Sequence, residues 1–348
     1  LGIEVELFDD LEAVERDARG ALDRDRQSSL YDSIDWLKLT REHVLRNVRL
    51  VAARARDDEG RSAGLFLQEE APRRGAAFAS WYTLAFAPIF SGEGALGKPQ
   101  HDLRLALIRA IAGRLRRKFS SISLAPLNSE HVSLLASGFK ASGWLSRRSV
   151  STYNWIAETG GQPFGPYWDR RPGRLRNTVA RKEKRGDLQI EILDHFSAAA
   201  WAEYEAVYQA SWKPAEGSPP FVRAFAEQGG RWGALRLGIA RQDGKAVAAQ
   251  FWTVDGEIAT IHKLAHDERA KSLSPGSLLT HAMFRHVIER DRPMLIDFGT
   301  GDDAYKADWM DEKRPLYRLD LYNLASPVGL ASAAKAAAGA LVRRLRND

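Results

Sequence analysis

The chain has no cysteine in 348 residues. That excludes a disulfide framework, a cysteine nucleophile and any thiolate metal site. It also lacks any run approaching ~18 uninterrupted apolar residues, so no segment reads as a bilayer-spanning helix. The nearest approach, Ala331 to Val342, is interrupted by Ser332 and Lys335. Neither sign of charge dominates: 51 Lys+Arg face 45 Asp+Glu, leaving +6. The small excess points to an anionic partner without naming one. With 44% apolar and 28% charged residues, the composition is that of an ordinary globular chain rather than a disordered one. A cysteine-free chain of this kind fits a reducing interior, and the cytoplasm is the expected location. The first residue is not Met, which leaves room for a removed targeting segment.

At roughly 100–200 residues per domain, the length predicts two domains. The first section mixes helical and strand patterns. Helical spacing covers Asp32–Val44, His101–Arg117 and Ser129–Ser137, the last closed by Gly138. Strand patterns cover Arg49–Ala55, Gly64–Glu69 and Ser120–Leu124. The apolar run Trp81–Phe90 reads as a core strand and turn. Gly160, Gly161, Pro163, Gly165 and Pro166 form a breaker cluster that predicts a linker. Beyond it come the basic run Arg170–Arg185, a strand Gln189–Leu193, and helices Ala198–Ser211 and Pro219–Gln228. Three strand-like runs follow, Trp232–Arg241, Lys245–Val254 and Glu257–Leu264, parted by Gln242-Asp243-Gly244 and Asp255-Gly256. Asp-Gly between apolar runs is a strong hairpin signal. A helix then opens behind Ser274-Pro275-Gly276, and strands Met294–Phe298 and Leu316–Tyr322 complete the order. The fold class expected is α/β with mixed sheets.

Three motif matches fail on their chemistry. Gly92–Lys98 imitates a phosphate-binding P-loop, but Pro99 stands where a magnesium-holding Ser or Thr belongs. Gly299-Thr300-Gly301-Asp302-Asp303-Ala304 imitates a dinucleotide fingerprint, yet it is acidic where a pyrophosphate would sit. His262 and His266 have the spacing of a helical zinc pair, but on a strand four residues span about 13 Å. No metal is expected. The basic run Arg170–Arg185 carries no interleaved aromatics, which argues against single-stranded nucleic acid. Ser274-Pro275-Gly276-Ser277 is more informative. A proline–glycine turn opening a helix frees the N–H groups of Gly276, Ser277 and Leu278, an anion site with Arg269 and Lys271 just upstream. Directly after that helix, Leu295–Trp309 gathers carboxylates, a phenol and an amine at the end of a buried strand.

These residues carry a resemblance. Ser274-Pro275-Gly276 leading into Leu278-Leu279, then Asp297-Phe298-Gly299-x-Gly301-Asp302-x-x-Tyr305-Lys306-x-x-Trp309, resembles the GNAT acyltransferase superfamily. The likeness is to its two-lobed branch of cellulose-biosynthesis-associated acetyltransferases and Fem-type peptidyltransferases. It covers about Gly173–Tyr322 by motif and the first 150 residues by architecture. The resemblance implies tandem GNAT-like lobes: residues 1–158, then an acyltransferase lobe 159–325, with a basic helix 326–348 behind them. It implies acyl-CoA as acyl donor, held at Arg269, Lys271, Ser274, Gly276, Ser277 and Leu278. This turn departs from the longer glycine-rich GNAT pattern.

An amine must lose a proton to attack a thioester, and His262 suits a base by its ordinary pKa. Asp297 or Asp303 could orient it or act instead. Tyr305 could protonate the leaving thiolate, and Lys306 could hold an anionic part of the substrate. The function expected is N-acyl transfer from acyl-CoA to a lipid amine, such as a sphingoid base, or to an amino sugar of an exopolysaccharide. Aminoacyl-tRNA-dependent Fem-type transfer and a non-catalytic lipid- or polysaccharide-binding protein are the rival readings. The tail Pro327–Asp348 reads as a helix with Leu330, Ala334, Ala337, Leu341 and Leu345 on one stripe and Lys335, Arg343, Arg344 and Arg346 as its cations. Such a helix can lie on an anionic membrane surface or pack on the second lobe.

Overall fold

The computed structural model describes residues 2–92 and 98–347. Most of the P-loop imitation Gly92–Lys98 therefore lies outside the described residues. The chain divides into two units, Leu1–Thr152 with Pro315–Asp348, and Tyr153–Arg314. Where the sequence pattern places boundaries at 158/159 and 325/326, this division falls at 152/153 and 314/315.

The first unit holds strands β1 (Ile3–Phe8), β2 (Arg49–Asp57), β3 (Ser62–Ala71), β4 (Arg74–Ala77), β5 (Ile89–Ser91) and β6 (Ser121–Leu127). Its helices are α1 (Leu11–Ala18), α2 (Ile34–His43), α3 (Lys98–Leu115) and α4 (Ser129–Ala141). Strands β7 (Trp144–Glu158) and β13 (Glu312–Asn323) each carry the chain from one unit to the other. The sheet order is β1-β2-β3-β4-β6-β13, with β5 on β3. Successive residues of β2 explain its two covered faces. Val51, Ala53 and Ala55 pack with Leu107, Ile108 and Ile111 of α3. Leu50 and Ala52 pack with Leu11 and Val14 of α1 and Ile34 and Leu37 of α2. A strand buried on both sides reads as a continuous apolar run, as Leu50–Ala55 does apart from Arg54. That arginine is held at 3.0 Å by Asp17.

The second unit holds α5 (Phe164–Asp169), α6 (Gly173–Glu183), β8 (Gln189–Leu193), α7 (Ala198–Gln209), α8 (Pro219–Arg231), β9 (Leu235–Gln242), β10 (Lys245–Asp255), β11 (Ile258–His266), α9 (Pro275–His286) and β12 (Leu295–Thr300). Its sheet runs β7-β12-β11-β10-β9-β8, antiparallel except for the β12–β11 pair. One face carries Trp252, Ile261, Leu279, Met283 and Phe284 in a core built on α9. On the other, Phe251 meets Trp201 of α7 at 5.8 Å and Phe225 of α8 at 5.3 Å between ring centroids. Gly238 of β9 is what lets α9 come close: a Cβ there would lie 2.5 Å from Met283 Sδ and 3.1 Å from Leu279.

Several features differ from the pattern reading. The run Trp81–Phe90 is mostly irregular, with Trp81 66% exposed and only its end in β5. Gly138 does not end a helix but sits inside α4, where a Cβ would lie 2.6 Å from Ile108 Cγ2. It is a close helix-crossing point, not a stop. The breaker cluster at 160–166 is a two-glycine turn, with Gly160 and Gly161 both at positive φ, followed by α5 behind Pro163. The final helix, α10 (Pro327–Asn347), belongs to the first unit, anchored where Ser326 Oγ meets Ser120 Oγ at 2.9 Å. Its stripe faces outward: Leu330 is 51% exposed, and Ala334 and Ala337 are exposed, while Ala333 is buried. The side chains of Leu341, Arg343, Arg344, Leu345 and Arg346 lie outside the described residues. No helix among the described residues is long and apolar enough to cross a membrane.

Gly238→Val should cost about 1–3 kcal/mol in urea unfolding, because Met283 and Leu279 cannot both retreat from a branched side chain. Gly165→Ala, where a Cβ meets nothing within 4 Å, should stay within about 0.5 kcal/mol.

Candidate active site

The site is set by a ladder that stops. β11 and β12 pair in parallel over only three residue pairs, Ile258↔Leu295, Ala259↔Ile296 and Thr260↔Asp297. Their outer partners continue: β10 stays with β11 to His266, and β7 stays with β12 to Thr300. Among the described residues, the two strands share no ladder pairs beyond Thr260 and Asp297. Both strands are irregular there. The register of β10 against β11 shifts between Phe251 and Trp252, leaving His262 as the extra residue of a bulge, and β12 shifts against β7 after Asp297. Bulges re-aim side chains next to sites.

At the end of β12 the structure brings together four of the expected residues. Asp297 is held by Asn154 Nδ2 at 2.8 Å and the Gly299 N–H at 2.6 Å. That second bond needs the tight turn that Gly299 makes at φ 66. Burial pushes the Asp297 carboxyl above its usual pKa, against those hydrogen bonds and nearby Lys306. Lys306 is 4% exposed; its ammonium donates to the Thr300 carbonyl at 2.7 Å and lies 3.7 Å from Asp303. Burial lowers its pKa, and Asp303 and Asp297 oppose the shift. Tyr305 stands edge-on to Phe298 at 5.7 Å, and burial with Asp303 beside it raises the phenol. It therefore stays protonated near neutral pH.

A second group joins this one from residues that sequence reasoning passed over. Glu216 pairs with Lys263 of β11 at 2.7 Å. Lys213 lies near enough to Lys263, Asp303 and Lys306 to respond to their charges, although burial is the larger cause of its lowered pKa. Tyr208 of α7 is pushed up to about 12 by burial and by Glu216. Lys213, Glu216 and Gly217 sit in an irregular link between α7 and α8, where no periodicity marks them. The available signal was a charged pair amid Pro and Gly.

His262 lies apart from this chemistry. Its ring packs 4.9 Å from Phe225 and 5.0 Å from Phe251, and Nε2 meets Thr253 Oγ1 at 2.8 Å. Desolvation, with Lys263 adding, holds its pKa down to about 3. An imidazole that weakly basic takes a proton poorly at neutral pH.

The turn at the start of α9 is half as the sequence suggests. Ser274 is the helix N-cap in a left-handed conformation (φ 56, ψ 46), its side chain makes no capping bond, and Pro275 occupies the first turn. The Leu278 N–H is not available, since it donates to the Ser274 carbonyl at 3.1 Å, and its side chain is in the core. Only Gly276 and Ser277 present N–H groups ahead of the first helical bond. A Cβ on Gly276 would sit 3.2 Å from His266 Nδ1. The two expected cations are already paired, Arg269 with Asp267 at 2.7 Å and Lys271 with Glu268 at 3.8 Å. Another cation reaches the turn from α6, where Lys182 donates to the Ser272 carbonyl. Much of the basic run is already paired: Arg170 and Arg171 with Asp311, Arg174 with Asp308, and Arg185 with its neighbour Asp187. No group of His, Asp or Glu suited to a metal occurs among the described residues.

Residues 170–307 match the acetyltransferase (GNAT) domain family model. Among solved structures, FemX superposes with a TM-score of 0.60 at 10% identity, covering 93% of this chain and 98% of its own. The C-terminal domain of a protein described as a lysylphosphatidylglycerol synthetase from Agrobacterium fabrum gives 0.55 at 18% identity, covering 92% and 95%. L-PGS from Bacillus licheniformis gives 0.52 at 11%, covering 85% and 93%. No curated protein matches the sequence. The chain thus shares the mixed α/β fold of FemX and of the lysylphosphatidylglycerol synthetase domain, and the match to the GNAT domain model falls within its second unit.

The burial of His262 has a measurable consequence. Unfolded, a histidine titrates near 6.5; folded, this one titrates near 3. Its contribution to stability is therefore complete above pH 6.5 and is lost as pH falls toward 3, by up to about 1.4 kcal/mol per pH unit. Chemical denaturation across that range should show His262→Gln losing less stability on acidification than the parent. Parallel curves would place the ring in contact with water.

Proposed function

We propose that the second unit transfers an acyl group from acyl-CoA to an amine, with the donor lying where β11 and β12 part. The observation that carries this reading is the three-pair ladder. A pantetheine-like chain bearing amides can pair with two separated strand edges as a short inserted strand. Its pyrophosphate would then meet the Gly276 and Ser277 N–H groups and the Ser274 hydroxyl at the start of α9.

The reaction needs three things from this chain. Backbone N–H groups of β11 beyond Thr260 polarise the thioester carbonyl. Asp303, directly or through water, takes the proton that the amine loses as the C–N bond forms. Tyr305 gives its proton to the sulfur as the C–S bond breaks, and the phenolate so formed is reprotonated through water by the proton that Asp303 took. Lys306 fixes Asp303, and Asp297 stiffens the turn through Gly299. His262 has a packing role in this scheme. The acceptor is the amine of a lipid or an amino sugar. A cytoplasmic enzyme held at an anionic membrane face by the outward stripe of α10 accommodates the lipid case.

One observation favours a second reading. Arg181 and Lys184, at the end of α6, have no ion pair among the described residues, and Lys182 between them touches the carrier turn. Exposed cations beside a donor site suit a larger polyanion, as an aminoacyl-tRNA donor would require. The likeness to a lysylphosphatidylglycerol synthetase is in keeping with that.

Calorimetry on the intact chain with acetyl-CoA and a long-chain acyl-CoA separates the two. Binding of either should weaken about tenfold or more in Gly276→Leu with little change in thermal midpoint. Asp303→Asn should slow transfer by roughly 10²–10⁴-fold. If neither acyl-CoA binds and a filter retains aminoacyl-tRNA, the donor is tRNA-borne.

A further inference from the structure

A cavity of ≈ 370 Å³ lies in the second unit, lined by Trp201, Tyr204, Tyr208, Lys213, Glu216 and Val222 among others. That is near the small end of ligand sites and fits an amino acid or a monosaccharide better than a macromolecule. One wall is a ladder of rings on α7: Trp201 stacks on Tyr204 at 4.4 Å, and Tyr208 follows 6.1 Å further on. The acids nearby are already engaged. Glu205 accepts from the Trp201 indole at 3.1 Å, and Glu216 is 2.7 Å from Lys263.

Lys213 is different. Among the described residues its ammonium has no ion pair and no hydrogen bond, only the face of Trp212 at 5.6 Å. It is half-buried, and the like charges of Lys263 and Lys306 act against it together with desolvation. Asp303 and Glu216 oppose them, but each sits beside another lysine. An unpaired ammonium on the wall of a ringed cavity, with Lys263 and Lys306 near enough to add their charge, forms a receptor for an oxyanion.

We infer that this cavity is the acceptor site and that the acceptor amine also carries a carboxylate or a phosphate, which pairs with Lys213 while the rest of the molecule lies against the α7 rings. The word acceptor rests on the acyltransferase reading; the oxyanion site itself does not. The proposal narrows the acceptor from amines in general to amines with an acidic group within one small molecule. The carbon skeleton touching Tyr204 and Tyr208 is a ring or a short apolar chain, since those faces offer stacking and few polar partners.

The test uses the full chain, its Lys213→Met and Lys213→Arg variants, and tryptophan emission from Trp201 and Trp212. Two matched pairs are titrated: L-phenylalanine against phenethylamine for a carboxylate, and glucosamine 6-phosphate against glucosamine for a phosphate. In at least one pair the acidic member should bind about tenfold or more tighter than its neutral partner. Lys213→Met should bring the two to parity and Lys213→Arg should keep the gap, with thermal midpoints confirming that both variants are folded. The pair that discriminates identifies the acidic group. Absence of discrimination or of binding in both pairs, or an unchanged gap in Lys213→Met, overturns the inference. Acyl transfer to the same compounds is scored separately. Lys213-dependent binding without transfer would leave the oxyanion site and remove the acyltransferase reading. Transfer to the neutral amines at equal rates in parent and Lys213→Met would do the reverse.

Discussion

Everything distinctive about the second unit depends on two parallel strands that pair for three residues and then part. A parallel ladder ordinarily continues as long as both backbones have partners to satisfy, because unpaired buried N–H and C=O groups are costly. Here β11 keeps β10 and β12 keeps β7, so each strand retains one ladder while, among the described residues, the two share no pairs beyond Thr260 and Asp297. The separation is fixed from both sides. A bulge at His262 turns β11, and the Asp297–Gly299 hydrogen bond with a glycine at φ 66 turns β12.

The packing around the gap keeps it from collapsing. Gly238 admits α9 tightly against the sheet, and Trp252, Met283 and Phe284 fill that face. On the opposite face, Phe225, Phe251 and the His262 ring form one cluster, so the bulge is locked by apolar contact rather than by charge. Rigid walls matter for chemistry, since donors placed in advance lose nothing to reorganisation when charge develops. Between those walls the polar groups are sorted by burial. Lys306 is enclosed and Asp297 half-buried, both shifted toward their neutral forms, while Asp303 is open to solvent.

Much of this was legible in the residues. The Asp-Gly turns fixed the β9–β10–β11 meander, and the Ser274-Pro275-Gly276 signal found the start of α9. Asp297, Asp303, Tyr305 and Lys306 were picked out together because they lie on one short segment, and folding only had to curl it. Lys213 and Glu216 reach the same place from some fifty to ninety residues earlier in the chain, through a link with no period to read, and Tyr208 comes from the last turn of α7. β7 was missed because Arg147, Arg148, Ser149, Ser151 and Thr152 give it no apolar alternation. His262 misled for a simple reason: its ordinary pKa suits a base, but sequence does not show that two phenylalanines and a threonine enclose it. Arg269 and Lys271 read as open cations, but the acids that pair with them are their near neighbours in the same turn.

Amide hydrogen exchange with and without acetyl-CoA probes the gap most directly, because it reads the backbone groups concerned. Donor seated between the strands should slow exchange at residues 262–266 of β11, with Gly276 and Ser277, and leave β2 and β3 of the first unit unchanged. Slowed exchange confined to α6, or none in β11 at saturating acetyl-CoA, would contradict a donor site between β11 and β12.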